Sequence, residues 1–174
     1  MRTMAIDPGV RAAAALLDHG GGTVRRFVDM VDIKMLPDGE RKQLAPGWFG
    51  DLLEKWEPDV VVLENVQVAV FGAGPDGQRK SAMSPSDAMR FGLSCGELRG
   101  FVKAYQIPIE LVHPRTWTRH FGVKGGAAEK KNHILKLKEI EPSCRHFIRL
   151  QADHGMADAG LMAIWYAETK RELL

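Results

Sequence analysis

The sequence predicts an α/β fold: a mixed five-stranded sheet, its first three strands antiparallel, flanked by helices. Three observations carry that expectation. Three strand-like segments follow one another at the start of the chain with only short turns between them. A continuous β-branched run, DVVVLENV at 59–66, comes after them. Segments with apolar residues at helical spacing separate this run from the next strand and close the chain.

Each element has a local reason. Arg2 to Ile6 reads as a strand that ends at the Asp7-Pro8-Gly9 turn, and Ala12 to Leu17 as a second. HGGG, His19 to Gly22, is a tight connection, and TVRRFVDMVDI at 23–33 is a third strand with partial alternation. Turns this short force antiparallel pairing, because a parallel pair needs a crossover of roughly a dozen residues. LAPGWFGDLLEKW at 44–56 sets Trp48, Phe49, Leu52, Leu53 and Trp56 at helical spacing, with Pro46 near its start. DVVVLENV then has the signature of a strand buried on both faces. VFGAGPDGQRKSAMSP at 70–85 is rich in glycine and proline without periodicity, which predicts a mobile loop.

Ser84 followed by Asp87 resembles a capping box with Pro85 in the first turn, so a helix is expected from about Pro85 to Tyr105. IPIELVH at 107–113 is the fifth strand, PRTWTRHFG a short helix stopped by Gly122, and GVKGG at 122–126 a second flexible loop. AAEKKNHILKLKEI at 127–140 is helical and basic, and ADHGMADAGLMAIWYAETKREL at 152–173 is a long amphipathic helix. The order βββαβαβα is the RNase H-like arrangement, expected as one domain over residues 1–174.

Bulk composition narrows the partners. With 174 residues, 45% hydrophobic and 26% charged, the chain has enough apolar surface for one core and too much for a disordered segment. A net charge of +2 excludes a strongly basic polymer-binding chain but allows local phosphate-binding patches. Cys95 and Cys144 lie far apart without metal spacing and read as reduced thiols of an intracellular protein. The N-terminus lacks a signal-peptide layout, and no apolar run approaches the roughly 18 residues of a membrane span. A cytoplasmic protein is expected.

Asp7 raises the functional question. Alone, an Asp before Pro-Gly is a turn former. Glu64 ends the VVVLE run, and alone it is a solvated strand end. Asp153, His154 and Asp158 open the last helix, where acids also suit the positive end of the dipole. Together they say more. In an RNase H-like sheet the first and fourth strands are neighbours, so Asp7 and Glu64 would emerge side by side. His154 and Asp158, four apart, share one helix face. Two carboxylates about 5 Å apart repel by roughly 3 kcal/mol at an effective dielectric of 20. A hard divalent ion, Mg²⁺ or Mn²⁺, offsets that cost. Two such ions about 3.5–4 Å apart stabilise both the attacking water and the leaving oxygen in phosphodiester hydrolysis.

The segments AIDPGVRAAAALL, VVVLENVQ, SDAMRFGLSCGELRGFVKAYQIPIELVHPRTW, GGAAEKKNHIL and DHGMADAGLMAIWYA occur in order from Met4 to Ala167. As an ordered set they resemble the RuvC-like Holliday junction resolvases, most closely their bacteriophage branch. The resemblance implies a crossover junction endodeoxyribonuclease acting in DNA recombination and repair. It implies a homodimer that binds four-way DNA and nicks it with two Mg²⁺ or Mn²⁺ ions per active site. Asp7, Glu64 and Asp158 match three of that family's four metal-binding acids. For the fourth, bacterial members place an acid or histidine three residues before the last Asp, which is Gly155 here. Mitochondrial members place an acid four before it, which is His154. Helical geometry favours His154, and Asp153 stays as an alternative ligand. A histidine there would also carry protons near neutral pH.

The resemblance also implies DNA contacts. Ala128-Glu129-Lys130 matches a family segment at a helix start, so Lys130 would stabilise developing phosphate charge, with Lys131 and Lys124 touching backbone nearby. Phe71 would stack on an unpaired base at the crossover, and Arg79, Lys80, Arg115 and Arg119, around Trp117, would meet phosphates. The helix from Ser84 carries Met89, Leu93 and Leu98 with Gly92, Ser94, Gly96 and Gly100, and would help form the dimer. Two other readings stay open at this stage: a non-catalytic junction-binding protein on the same fold, and an RNA-processing nuclease of the YqgF type.

Overall fold

The computed structural model describes residues 1–9, 11–20, 25–38, 41–65, 70–73, 79–81, 84–124 and 129–170, with backbone alone for 38, 41–42, 70–73, 79–81 and 85. Strands β1 (Arg2–Asp7), β2 (Ala13–Asp18) and β3 (Arg26–Asp32) form an antiparallel meander. β6 (Val60–Glu64) pairs parallel to β1, and β9 (Ile109–Val112) pairs parallel to β6. The sheet order is β3-β2-β1-β6-β9, the mixed five-stranded RNase H-like sheet that the sequence predicts.

Side-chain alternation divides the core between the two faces. Ala5, Ala13, Ala15, Leu17 and Val62 point to one side, and Met4, Ile6, Ala14, Leu16, Val61 and Leu63 to the other. A strand packed on both faces reads as an unbroken apolar run because each residue meets a different layer. On the first side lies α5 (His154–Thr169), backed by α4 (Lys130–Ile140) and α3 (Pro114–His120). The opposite face is covered by α1 (Pro46–Trp56), through Phe49, Leu52, Leu53 and Trp56, and by α2 (Pro85–Ala104), through Leu98 and Val102. Alanines on β2 and at Ala157, Ala159 and Ala163 keep the layer between sheet and α5 thin, so the helix start comes close to the end of β1.

Two hairpins depart from the sequence reading. Met35–Asp38 (β4) pairs with Arg41–Leu44 (β5), and Val70–Ala73 (β7) pairs with Arg79–Ser81 (β8). The second places two paired strands inside the expected loop at 70–85, of which 74–78 and 82–83 lie outside the described residues. Its strands are three and four residues long, too short to show a period between the glycines and prolines that flank them. Helix ends moved as well. Ser84 caps α2 by accepting from the Asp87 amide, as its spacing predicts. α4 spans Lys130–Ile140, with 127–128 of its expected start outside the described residues, while 151–153 form a short 3-10 turn that brings the start of α5 to His154. Gly122, at φ 66°, ends α3 in the left-handed region that favours glycine.

Candidate active site

Asp7 closes β1, and Glu64 closes the parallel neighbour β6. Because Ile6 pairs with Leu63, the two acids leave the same sheet edge on adjacent strands. His154 opens α5, and Asp158 follows one turn later on the same face. One ligand atom from each of Asp7, His154 and Asp158 lies within 4.8 Å of the others. Glu64 borders this trio without joining it. Its Oε1 accepts a hydrogen bond from Trp117 Nε1 at 2.9 Å.

The close approach depends on Gly155. A Cβ there would stand 3.1 Å from Ala13 Cβ and 3.3 Å from Asp7 Oδ2. The position three before Asp158 therefore has little room for a ligating side chain, and the residue before it supplies the imidazole instead. Asp153, the alternative ligand, is already engaged. Its Oδ2 accepts from the Arg149 and Leu150 amides at 2.7 and 2.8 Å, which ties the turn entering α5.

The electrostatics test whether this cluster fits a cation. Burial above all, then the neighbouring Asp158 and Glu64, push the Asp7 carboxyl well above its usual range. Burial also raises Glu64 to about 7, against the opposing pull of the Trp117 hydrogen bond. Carboxylates gathered where water is scarce, with each raising the next, lack positive charge. Burial and Lys130 lower the His154 pKa, which leaves its ring neutral and able to donate a lone pair. Carboxylate oxygens with one imidazole make a donor set suited to Mg²⁺ or Mn²⁺. The residues present fit such an ion.

A second layer holds the ligands, and the sequence reading missed its key member. His133 lies buried on α4, with Nδ1 2.6 Å from Asp158 Oδ1 and Nε2 2.7 Å from the Lys124 carbonyl oxygen. Both ring nitrogens face acceptors, an arrangement that only the doubly protonated ring satisfies. Burial is the largest influence and opposes that charge, but the hydrogen bond and charge of Asp158, the Lys124 carbonyl and Glu129 together outweigh it and raise the His133 pKa. Trp117 packs edge-on to His133, with ring centroids 5.3 Å apart. The one signal in the sequence was spacing: His133 follows Lys130 by three, on the same helix face.

Trp117, expected near DNA, is only 2% exposed and serves the core and Glu64 instead. A large indole between two arginines looks like a nucleic-acid contact until burial shows which side it faces. Lys130 does meet the site, with Nζ 3.0 Å from His154 Nδ1. Arg115, Arg119 and Lys124 line an open groove of about 730 Å³ beside α3. Lys131 is exposed on α4. The side chains of Phe71, Arg79 and Lys80 lie outside the described residues, as does Ala128.

The class that fold and site define is an RNase H-like domain with acids gathered at one sheet edge. No protein-family model and no curated protein matches the chain by sequence. Solved structures do match, and RuvC and other Holliday junction resolvases are among them. Thermus thermophilus RuvC in complex with a Holliday junction substrate superposes with a TM-score of 0.64 at 15% identity, covering 97% of this chain and 96% of that one. Fowlpox virus resolvase, in complex with substrate Holliday junction DNA, gives 0.57 at 15% identity, covering 98% and 99%. The yeast mitochondrial Holliday junction resolvase gives 0.53 at 13% identity, covering 99% and 86%. At these identities the likeness is one of fold over nearly the whole chain. Among the described residues, no helix is long and apolar enough to cross a membrane.

Proposed function

We propose that this chain is a metal-dependent, structure-selective endodeoxyribonuclease that resolves four-way DNA junctions by paired nicks. The observation that carries the reading is the convergence of Asp7, His154 and Asp158 within 4.8 Å, beside Glu64 on the adjacent strand. Asp7, His154 and Asp158 would hold one Mg²⁺ or Mn²⁺, and Glu64 with Asp7 a second. Such ions supply a nucleophile from water at neutral pH and neutralise charge at the attacked phosphate. His133 and Trp117 keep the carboxylates of Asp158 and Glu64 oriented. Lys130 adds positive charge next to the cluster for the phosphate in the transition state. Arg115, Arg119 and Lys124 offer a basic groove to the backbone of one arm, with Lys131 nearby.

A four-way junction has near two-fold symmetry, so paired nicks call for a homodimer. Met89, Leu93, Gly96 and Gly100 fall on one face of α2, and Met89 and Leu93 are 68% and 43% exposed. We assign the dimer contact to that face.

The decisive assay offers the protein a labelled four-way junction, a Y-fork, a plain duplex and a structured RNA, each with Mg²⁺, Mn²⁺ or chelator. The junction should be nicked symmetrically with either metal and left whole without one. Asp7→Asn should bind the junction and cut it at least 10³-fold more slowly, of the order that loss of a principal electrostatic group costs. Binding without product would favour a junction-binding protein, and faster RNA cleavage would favour an RNA-processing nuclease. Undiminished nicking by Asp7→Asn would refute the site.

A further inference from the structure

A second concavity adjoins the acids. It lies between the end of β6 and α2, encloses about 220 Å³, and is lined by Leu63, Glu64, Asn65, Phe91, Arg99 and Leu111. Resting on the nuclease reading above, we propose that this cleft receives the nucleobase next to the scissile phosphate and reads it as a purine. Arg99 and Asn65 are the reading groups.

Size and wall chemistry select the occupant. The cleft is below the roughly 300–1,000 Å³ of pockets for drug-sized ligands, so it suits one ring system and not a whole nucleotide. Leu63, Phe91 and Leu111 give it apolar walls. On α2, Phe91, Cys95 and Arg99 succeed one another at intervals of four and so share a helix face. Burial pushes the Cys95 thiol up to about 11, which keeps that wall neutral. A Cβ on Gly92 would meet nothing within 4 Å, so the entrance stays open. A neutral planar ring with a polar edge meets all these conditions.

The polar groups identify which ring. Neither the Asn65 amide nor the Arg99 guanidinium has a hydrogen-bond or ion-pair partner among the described residues. A guanidinium fork matches O6 and N7 of guanine, and an amide matches N6 and N7 of adenine. Both favour a purine over a pyrimidine. A branch point also supplies such a base at low cost, because stacking is already interrupted there. On α2 the cleft is walled by Phe91, Gly92, Cys95, Gly96 and Arg99, so it lies beside the exposed row of Met89, Leu93 and Gly100 and shares Gly96 with it.

The test is a pool of four-way junctions randomised at the nucleotides flanking the crossover, cut with Mg²⁺ or Mn²⁺, with the nicked ends sequenced. Wild type should enrich a purine at one fixed position beside the nick by about tenfold or more. Arg99→Lys keeps the charge without the fork, and Asn65→Ala removes the amide; each should reduce the enrichment to within about twofold. The readout is the distribution of nick positions, so a change in total rate does not enter it. Absence of purine enrichment in wild type, or the same enrichment in both variants, overturns the base-reading cleft alone. If wild type nicks no junction with either metal, the nuclease reading itself falls and takes the cleft with it.

Discussion

Trp117 and His133 stand one layer behind the carboxylates and touch each other, so each acts on the site through a single hydrogen bond. Trp117→Phe retains the ring and removes the N–H that holds Glu64. His133→Ala leaves Asp158 without its charged partner. Supporting contacts of this kind are worth about 10–100-fold in metal affinity. The Mg²⁺ concentration for half-maximal nicking should rise by that factor in either variant, and an unchanged requirement would show that the acids need no such support. Glu64 makes a separate prediction about pH. Its carboxyl titrates at about 7 in the folded chain against an ordinary value near 4.5. Across that interval the folded state binds more protons than the unfolded one, so without metal this residue makes stability fall as pH rises. Glu64→Gln removes the effect and keeps an acceptor for Trp117. In chelator, its stability relative to wild type should grow as pH rises from roughly 5 to roughly 7.5. Saturating Mg²⁺ should cancel the gain. A difference between the two proteins that does not change with pH, in thermal or urea unfolding, would contradict the burial argument.

At the scale of elements, α2 carries the heaviest set of roles. Leu98 and Val102 anchor it to the sheet, while Met89 and Leu93 remain exposed. Exposed apolar residues in a row beside glycines with open space above them are the basis of the proposed dimer face. Leu93→Glu places a charge there, and light scattering should show a shift from dimer to monomer with paired nicking lost. A dimer that survives Leu93→Glu would move the contact elsewhere. The elements also show what the chain made legible. The three-strand meander and the buried fourth strand followed from turn lengths and from the unbroken run at 60–64, because those signals are local, while the neighbouring of the first and fourth strands came from the RNase H-like arrangement they compose. Neither hairpin outside the sheet was readable with the same tools. β7 and β8 pair over two aligned positions only, and a period of two cannot be established on so few residues.

For the whole molecule, the site is an edge effect of topology. Residues 7, 154 and 158 meet, with 64 beside them, because a meander, one parallel strand and a closing helix bring three chain segments to one end of the sheet. Asp7, Glu64 and Asp158 could be placed from the sequence, since strand ends and helix starts are what pattern reading finds. His133, and the inward turn of Trp117, could not. Both depend on how α3 and α4 pack against α5, which spacing along one helix does not encode. His154 was chosen on helical geometry, and the crowding above Gly155 supplies its physical reason. The arrangement makes sense only if positive charge enters it. The most direct test counts Mn²⁺ ions on the metal-free protein by calorimetry and spin-echo relaxation, with Mg²⁺ as competitor and Asp7→Asn alongside. Wild type should bind Mn²⁺ saturably, Mg²⁺ should displace it, and Asp7→Asn should lose the binding. Binding of equal strength and number in wild type and Asp7→Asn, or none in either, would contradict this metal site.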